Sequence, residues 1–174
     1  MKALVIVEGS LVIEDRPNPT PGSTEVVVEV AAAGVNAADL LQRRGFYPAP
    51  PGSPTDIPGL EIAGTIAAKG DAVGDWHLGD RVMAVVGVGG QATHCIVDAA
   101  HLLPIPDSTS TLEAGGFAEA FTTAYDAIVT QGRLASGDRL LVTGAAGGVG
   151  TAAVQLGRTI GATVVASVRD ATRR

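Results

Sequence analysis

Aromatic residues are scarce in this chain and cysteine is nearly missing. Phe, Tyr and Trp make up 3% of the 174 residues, too few for the stacking platforms that hold nucleic-acid bases. One cysteine, Cys95, allows neither a disulfide framework nor a thiolate zinc cluster. Positive charge is in deficit: 12 Lys and Arg stand against 18 Asp and Glu, a net charge of −6. Sequence-independent nucleic-acid binding needs the opposite balance, because phosphates are neutralised by Lys and Arg. Long apolar runs are absent as well. The N-terminal MKALVIVEGS is too short for a membrane span or a secretory signal. The expectation is a soluble, cytoplasmic protein with no nucleic-acid and no membrane partner. No repeat or low-complexity tract is present. What the chain does have is 46% hydrophobic residues, enough to bury a core in one large domain or two small ones.

The first part of the sequence reads as short strands. Residues 1–7 and 11–15 are β-rich and flank Gly9-Ser10, which predicts a hairpin turn. RPNPTPGST (16–24) is a loop. Residues 25–33 alternate, with Val26, Val28 and Val30 on one side and Val27 and Glu29 on the other, and Gly34 breaks the run. Residues 36–44 carry helix signals at both ends: Asn36 as N-cap, Asp39 three residues on, and Gly45 at the C-terminus. After a proline-rich loop, strand signals return at 61–68, 81–86 and 92–97. Many short strands separated by glycine turns predict a small closed or strongly bent β-structure.

The texture changes after LLPIPD (102–107), which predicts a domain boundary near residue 108. Ser110-Thr111-Leu112-Glu113 is a capping-box pattern, followed by Phe117, Phe121, Ala124, Tyr125 and Ile128 at helical spacing. The turn GRLASGDR then leads into the apolar LLVT. There follows TGAAGGVGTA (143–152), in which Gly144, Gly147 and Gly150 recur at every third position beside Gly148. Val149, Ala153, Leu156 and Ile160 lie on one helical face, Gly161 stops that helix, and 163–168 is a second strand. Strand, glycine turn, helix and strand fit within about 32 residues, as a βαβ unit requires.

A glycine motif gains meaning from that context. Small residues let the backbone approach a pyrophosphate, and a helix N-terminus presents N–H groups and partial positive charge. Gly144, Ala146, Gly147, Gly148, Val149 and Gly150 are therefore candidate dinucleotide contacts. An NAD site places Asp or Glu about 20 residues on, at the end of the second strand. That region holds Ser167 and Val168, then Arg169, Asp170, Arg173 and Arg174. The cationic cluster, with Ser167, Arg169 and Arg173 as contacts, fits a 2′-phosphate better than a ribose diol. NADPH is the expected cofactor, and Asp170 is the contrary signal.

Together AGVNAADLLQRRGFYPAPPG, DIPGLEIAGTI, GDRVMA, LLPIPD, AFTTAYDAI and GAAGGVGTAAVQLGRTIGATVVASV resemble the medium-chain dehydrogenase/reductases. The similarity is greatest to the zinc-free, zeta-crystallin-like quinone oxidoreductases, including the p53-inducible quinone oxidoreductase group. The resemblance covers essentially the whole chain. It implies an α/β plus β architecture: a GroES-like β-barrel domain over residues 1–107, then an incomplete Rossmann domain, a doubly wound parallel sheet, over 108–174. It also implies an active site in the cleft between the domains, hydride transfer from NADPH to a quinone or electron-poor enone, and a homodimer in the full-length form. Zinc-dependent relatives have Cys where this chain has Asn36 and His where it has Leu60, although Glu61 remains; the structural zinc lobe between Asp80 and Gly90 is missing. Two replaced ligands leave too few for a catalytic zinc, so no metal site is expected, and Cys95 reads as a buried, inert thiol.

The resemblance assigns Asn36 and Asp39 to the nicotinamide and substrate region, Tyr47 to the substrate cleft, and Thr123 to the nicotinamide or its ribose. Each has a structural alternative: helix capping for Asn36 and Asp39, packing on prolines for Tyr47, and a hydroxyl bonded back to the helix backbone for Thr123. Leu41 stands where some bacterial members have tyrosine. With no acid, base or nucleophile constellation, catalysis is expected to rest on positioning donor and acceptor. Only two Rossmann strands precede the end of the sequence, so the expectation is the N-terminal part of a longer enzyme. The alternative is a non-catalytic fragment acting only through association with a partner chain.

Overall fold

The computed structural model describes residues 1–170 and Thr172. It divides into two compact units, Met1–Ala118 and Glu119–Arg174.

In the first unit, β1 (Lys2–Val7) and β2 (Ser10–Asp15) form an antiparallel hairpin. Its turn residues are Glu8 and Gly9, at φ 48° and 76°. The predicted turn at Gly9-Ser10 is thus shifted by one residue. Two consecutive positive φ values are what a two-residue hairpin loop needs to match strand twist. Strands β3 (Glu25–Ala33), β4 (Glu61–Lys69), β5 (Arg81–Val85), β6 (His94–Asp98) and β7 (Leu102–Pro104) form one antiparallel sheet in the order β6-β3-β4-β5-β7. Register shifts at Val27/Val28 and Val30/Ala32 bend β3 against β4.

One face of this sheet builds the main core, with Val26, Val28, Ile62, Ile66, Val82 and Val97 buried together. Full burial of each such side chain stabilises by about 1.5–3 kcal/mol. The helix α1 (Ala37–Arg43) follows β3. Gly45, at φ 79°, ends it: Gly45 N–H donates to Gln42 O and Phe46 N–H to Leu41 O, both at 2.9 Å. This is the paired C-terminal closure that a left-handed glycine permits.

Further details differ from the sequence reading. Residues 92–93 precede β6, and LLP, read as part of a boundary, forms β7 on the sheet edge. Val27 is buried at 3% exposure although it lies out of phase with Val26 and Val28. The predicted helix after the capping box is interrupted. α2 (Thr111–Ala114) stops at Gly115-Gly116, where two poor helix formers meet, and Ala114 packs with Ala63, Met83 and Ile105.

Helix α3 (Ala118–Tyr125) leads into the second unit and widens to a π-helical segment, Asp126–Gln131. Strand β8 (Arg139–Thr143), helix α4 (Gly148–Ile160) and strand β9 (Thr163–Ser167) make the expected βαβ unit, with β8 and β9 parallel in register Arg139↔Thr163 through Thr143↔Ser167. A methyl group on Gly157 would lie 2.7 Å from Leu140 Cδ2 and 3.0 Å from Val164 Cγ2. Glycine there lets the helix backbone close onto the strands. Ala152, Ala153 and Gly157 are the buried positions of α4, whereas Val149 is 43% exposed. The buried face is therefore rotated towards the small residues, because close approach selects small side chains over Val149. The cross-strand pair Leu141 and Val165 is exposed at 64% and 56%.

Candidate functional site

Two groups of predicted residues take shape, one in each unit. In the first, Asn36 is the N-cap of α1 in a capping box with Asp39. Asn36 N–H donates to Asp39 Oδ2 at 2.7 Å. Asp39 is 6% exposed and does more than cap. Its Oδ1 accepts from Gly59 N–H at 3.0 Å, and its Oδ2 also accepts from Gln91 Nε2 at 3.3 Å. One carboxylate thus ties the helix start to two loops that flank the sheet. The side chain of Asn36 is engaged separately, with Nδ2 donating to Glu61 Oε1 at 2.9 Å. Glu61 opens β4 at 3% exposure. Gly34 makes room for it: a methyl group on residue 34 would sit 2.5 Å from Glu61 Cδ. Tyr47 lies in the loop after α1, 36% exposed.

Sequence reasoning found Asn36 and Asp39 through their helix-start spacing. It noted Glu61 only as a residue shared with relatives and missed Gln91 and Gly59. The last two carry no local signal, since their partner Asp39 lies 52 and 20 positions away. Leu60, beside Glu61, is buried at 5%. Among the described residues, no group of three or more His, Cys, Asp or Glu is placed to hold a metal ion. Cys95 is buried and its thiol is pushed up to about 12 by desolvation, which leaves it protonated and unreactive near neutral pH.

In the second unit the glycine turn joins β8 to α4. Gly144 adopts φ 67°, Gly147 N–H donates back to Gly144 O at 2.9 Å, and Gly147 O accepts from Thr151 N–H at 2.8 Å. Gly147 is the N-cap and supplies no side-chain oxygen to the helix start. The three structural demands differ along the motif. Gly144 is needed for its backbone conformation. Gly150 is needed for space, because a methyl group there would lie 2.7 Å from Ala145 Cα. Gly148 has nothing within 4 Å of where a methyl group would be, so that side of the helix start is open.

A groove of about 580 Å³ lies over this turn, lined by Gly144, Ala146, Gly147, Val168, Arg169 and Asp170. Val149 follows Gly148 in the first turn of α4. Ser167 closes β9, and its carbonyl accepts from Ala145 N–H at 3.1 Å, which stitches the glycine turn to the end of the second strand. Asp170 is tied to Thr172: the Thr172 N–H and hydroxyl reach its Oδ1 at 2.9 and 2.8 Å and hold its carboxyl below the ordinary 3.8. Thr123 is not among the residues lining the groove; it is exposed on α3, with its hydroxyl 3.4 Å from Glu119 Oε1. Arg173 lies outside the described residues. Among the described residues, no helix is long and apolar enough to cross a membrane.

The chain is similar to known proteins in sequence and in structure. The model of the alcohol dehydrogenase GroES-like domain matches residues 22–133. The polyketide synthase GfsB of Streptomyces halstedii is 40% identical over 147 residues, 84% of this chain and 2% of that protein. The synaptic vesicle membrane protein VAT-1 homolog of Mus musculus is 39% identical over 150 residues, 85% of this chain and 37% of that protein. Among solved structures, the quinone oxidoreductase from Thermus thermophilus, determined also in complex with NADPH, superposes with a TM-score of 0.83 at 36% identity, over 99% of this chain and 55% of that one. The CurK enoyl reductase superposes with a TM-score of 0.86 at 29% identity, over 98% and 55% respectively. The chain thus spans little more than half the length of these solved relatives and much less of the polyketide synthase. Its bent antiparallel sheet followed by a parallel βαβ unit is the GroES-like and Rossmann arrangement of oxidoreductases, and the chain belongs to the alcohol dehydrogenase GroES-like family within the medium-chain dehydrogenase/reductase superfamily.

Proposed function

We propose that this chain forms part of an NADPH-dependent oxidoreductase that reduces a quinone or a related electron-poor enone without zinc. The glycine turn carries the reading. Gly144 and Gly150 keep the backbone low, Gly148 leaves the helix start uncovered, and the groove above is bordered by Arg169. Those features suit a diphosphate bound to main-chain N–H groups. Gly144, Ala146, Gly147, Gly148, Val149 and Gly150 would hold the diphosphate. Ser167, Arg169 and Arg173 would meet the 2′-phosphate, with guanidinium groups suited to it in charge and shape. When bound, the cofactor supplies the hydride.

In the first unit, Asn36 offers an amide to the substrate and nicotinamide region, and Asp39 positions Asn36 through its backbone. A buried carboxylate with donors on both oxygens is suited to holding a loop, not to moving protons. Tyr47 offers a ring and a hydroxyl to a planar acceptor. Thr123 offers its hydroxyl to the nicotinamide or its ribose. Similarity to an enoyl reductase as well as to a quinone oxidoreductase supports a conjugated carbonyl as the common acceptor. Because the carbonyl is already polarised by conjugation, no Lewis acid is required. A cytoplasmic homodimer is the form proposed for the full-length protein.

The test is NADPH oxidation monitored with a quinone and with an α,β-unsaturated thioester, with NADH as the alternative donor. Turnover with either acceptor and a preference for NADPH over NADH are expected, and equal affinity for the two nucleotides contradicts the arginine assignment. A second reading, association with a partner chain without catalysis, is favoured by the exposed Leu141 and Val165 pair. NADPH binding with no turnover, together with a stable hetero-complex, supports that reading instead.

A further inference from the structure

Glu61 is buried at the start of β4, 3% exposed, with Oε1 2.9 Å from Asn36 Nδ2. A carboxylate oxygen only accepts, so the atom of the Asn36 amide that faces it is the nitrogen. The amide is therefore oriented and not free to flip. The backbone of the same residue is fixed by Asp39 at 2.7 Å. One Nδ2 hydrogen is committed to Glu61, which leaves the second as a donor suited to a carbonyl oxygen. Gly34 guards the arrangement, since a methyl group at residue 34 would press within 2.5 Å of Glu61 Cδ.

We infer that Glu61 is a positioning residue: it holds the Asn36 amide with its remaining N–H presented to the carbonyl of the acceptor substrate. This inference rests on the functional reading above for its catalytic consequence, but the hydrogen bond can be tested without turnover.

The experiment follows the side-chain amide resonances of Asn36 in the full chain, alongside kcat and KM for NADPH-dependent reduction of a quinone. In Glu61→Ala the Asn36 amide signals shift and exchange faster with water. The value of kcat falls by roughly tenfold or more while KM for NADPH is retained. Asn36→Ala produces the same loss, and the double variant loses no more than either single one. Glu61→Gln, which keeps an acceptor oxygen, recovers most of the lost kcat. Gly34→Ala displaces the carboxylate while leaving Glu61 chemically intact, and it reproduces the effect if Glu61→Ala does not fold. Asn36 amide signals unmoved in Glu61→Ala, or losses that multiply in the double variant, overturn the inference. If the full-length protein shows no turnover, the functional reading fails while the amide signals alone still decide whether Glu61 orients Asn36.

Discussion

Asp39 satisfies three donors with two oxygens, and all three are N–H groups from different segments. The hydrogen-bond polarity makes asparagine a poor substitute there. An amide nitrogen in place of either oxygen would face a donor. Asp39→Asn is therefore expected to cost nearly as much as Asp39→Ala, about 2–3 kcal/mol, measured by chemical denaturation. A loss below about 0.5 kcal/mol would show that the network is dispensable. Cys95 makes a separate prediction. Its thiol is pushed up to about 12 by burial, so at pH 8 a thiol reagent leaves the native chain unmodified and labels the unfolded chain. Fast native labelling contradicts the burial. At this scale the sequence was readable where partners are close. Asn36 and Asp39 stand three apart and announced their cap, whereas the bonds to Gly59, Glu61 and Gln91 span 20, 25 and 52 positions. Only the folded sheet brings those residues together.

At the scale of elements, caps and glycines decide where helices begin and what they approach. Ser110 Oγ accepts from Glu113 N–H at 3.2 Å, and Glu113 Oε2 accepts from Ser110 N–H at 2.9 Å. Ser110→Ala is expected to cost about 1 kcal/mol, read from the thermal or denaturant midpoint. Gly150→Val places branched carbon against Ala145, where even a methyl carbon lies 2.7 Å from Cα. The turn must open, and affinity for NADPH is expected to fall at least about tenfold, or 1.4 kcal/mol, in a calorimetric titration. Unchanged affinity removes the turn from the binding site. The strands and α4 were legible because alternation and helical spacing are local patterns. The break at Gly115-Gly116 was overlooked because apolar residues on either side continued the helical spacing across it. The edge strand Leu102–Pro104 was hidden because its partner β5 alone makes it a strand.

For the molecule as a whole, pH acts through both ends of the scale. The carboxyl groups of Asp98 and Glu113 are held below their ordinary values of 3.8 and 4.5. The Ala100 N–H and the Thr24 hydroxyl act on Asp98, and the Ser110 hydroxyl and N–H on Glu113. Their stabilisation is present above those ordinary values and is lost as pH falls through the lower native ones. The thiol has the opposite sign: its contribution is complete below its ordinary 9.0 and is lost as pH rises from there towards about 12. Stability is thus expected to be flat near neutrality and to decline on both sides, as checked by melting temperature against pH.

A bent antiparallel sheet and a βαβ unit need different sequence periods, which is why the sequence changes texture along its length. The compact units themselves divide at Ala118 and Glu119, so residues 108–118 cluster with the sheet they pack on. The central claim is that the glycine turn cradles a dinucleotide. Titrating the isotopically labelled chain with NADPH while following backbone amide signals tests it most directly. Saturable shifts are predicted, centred on Gly144, Gly147, Gly148 and Gly150 and extending to Arg169, with weaker ones for NADH. Amide signals in that turn that stay fixed at saturating NADPH contradict it.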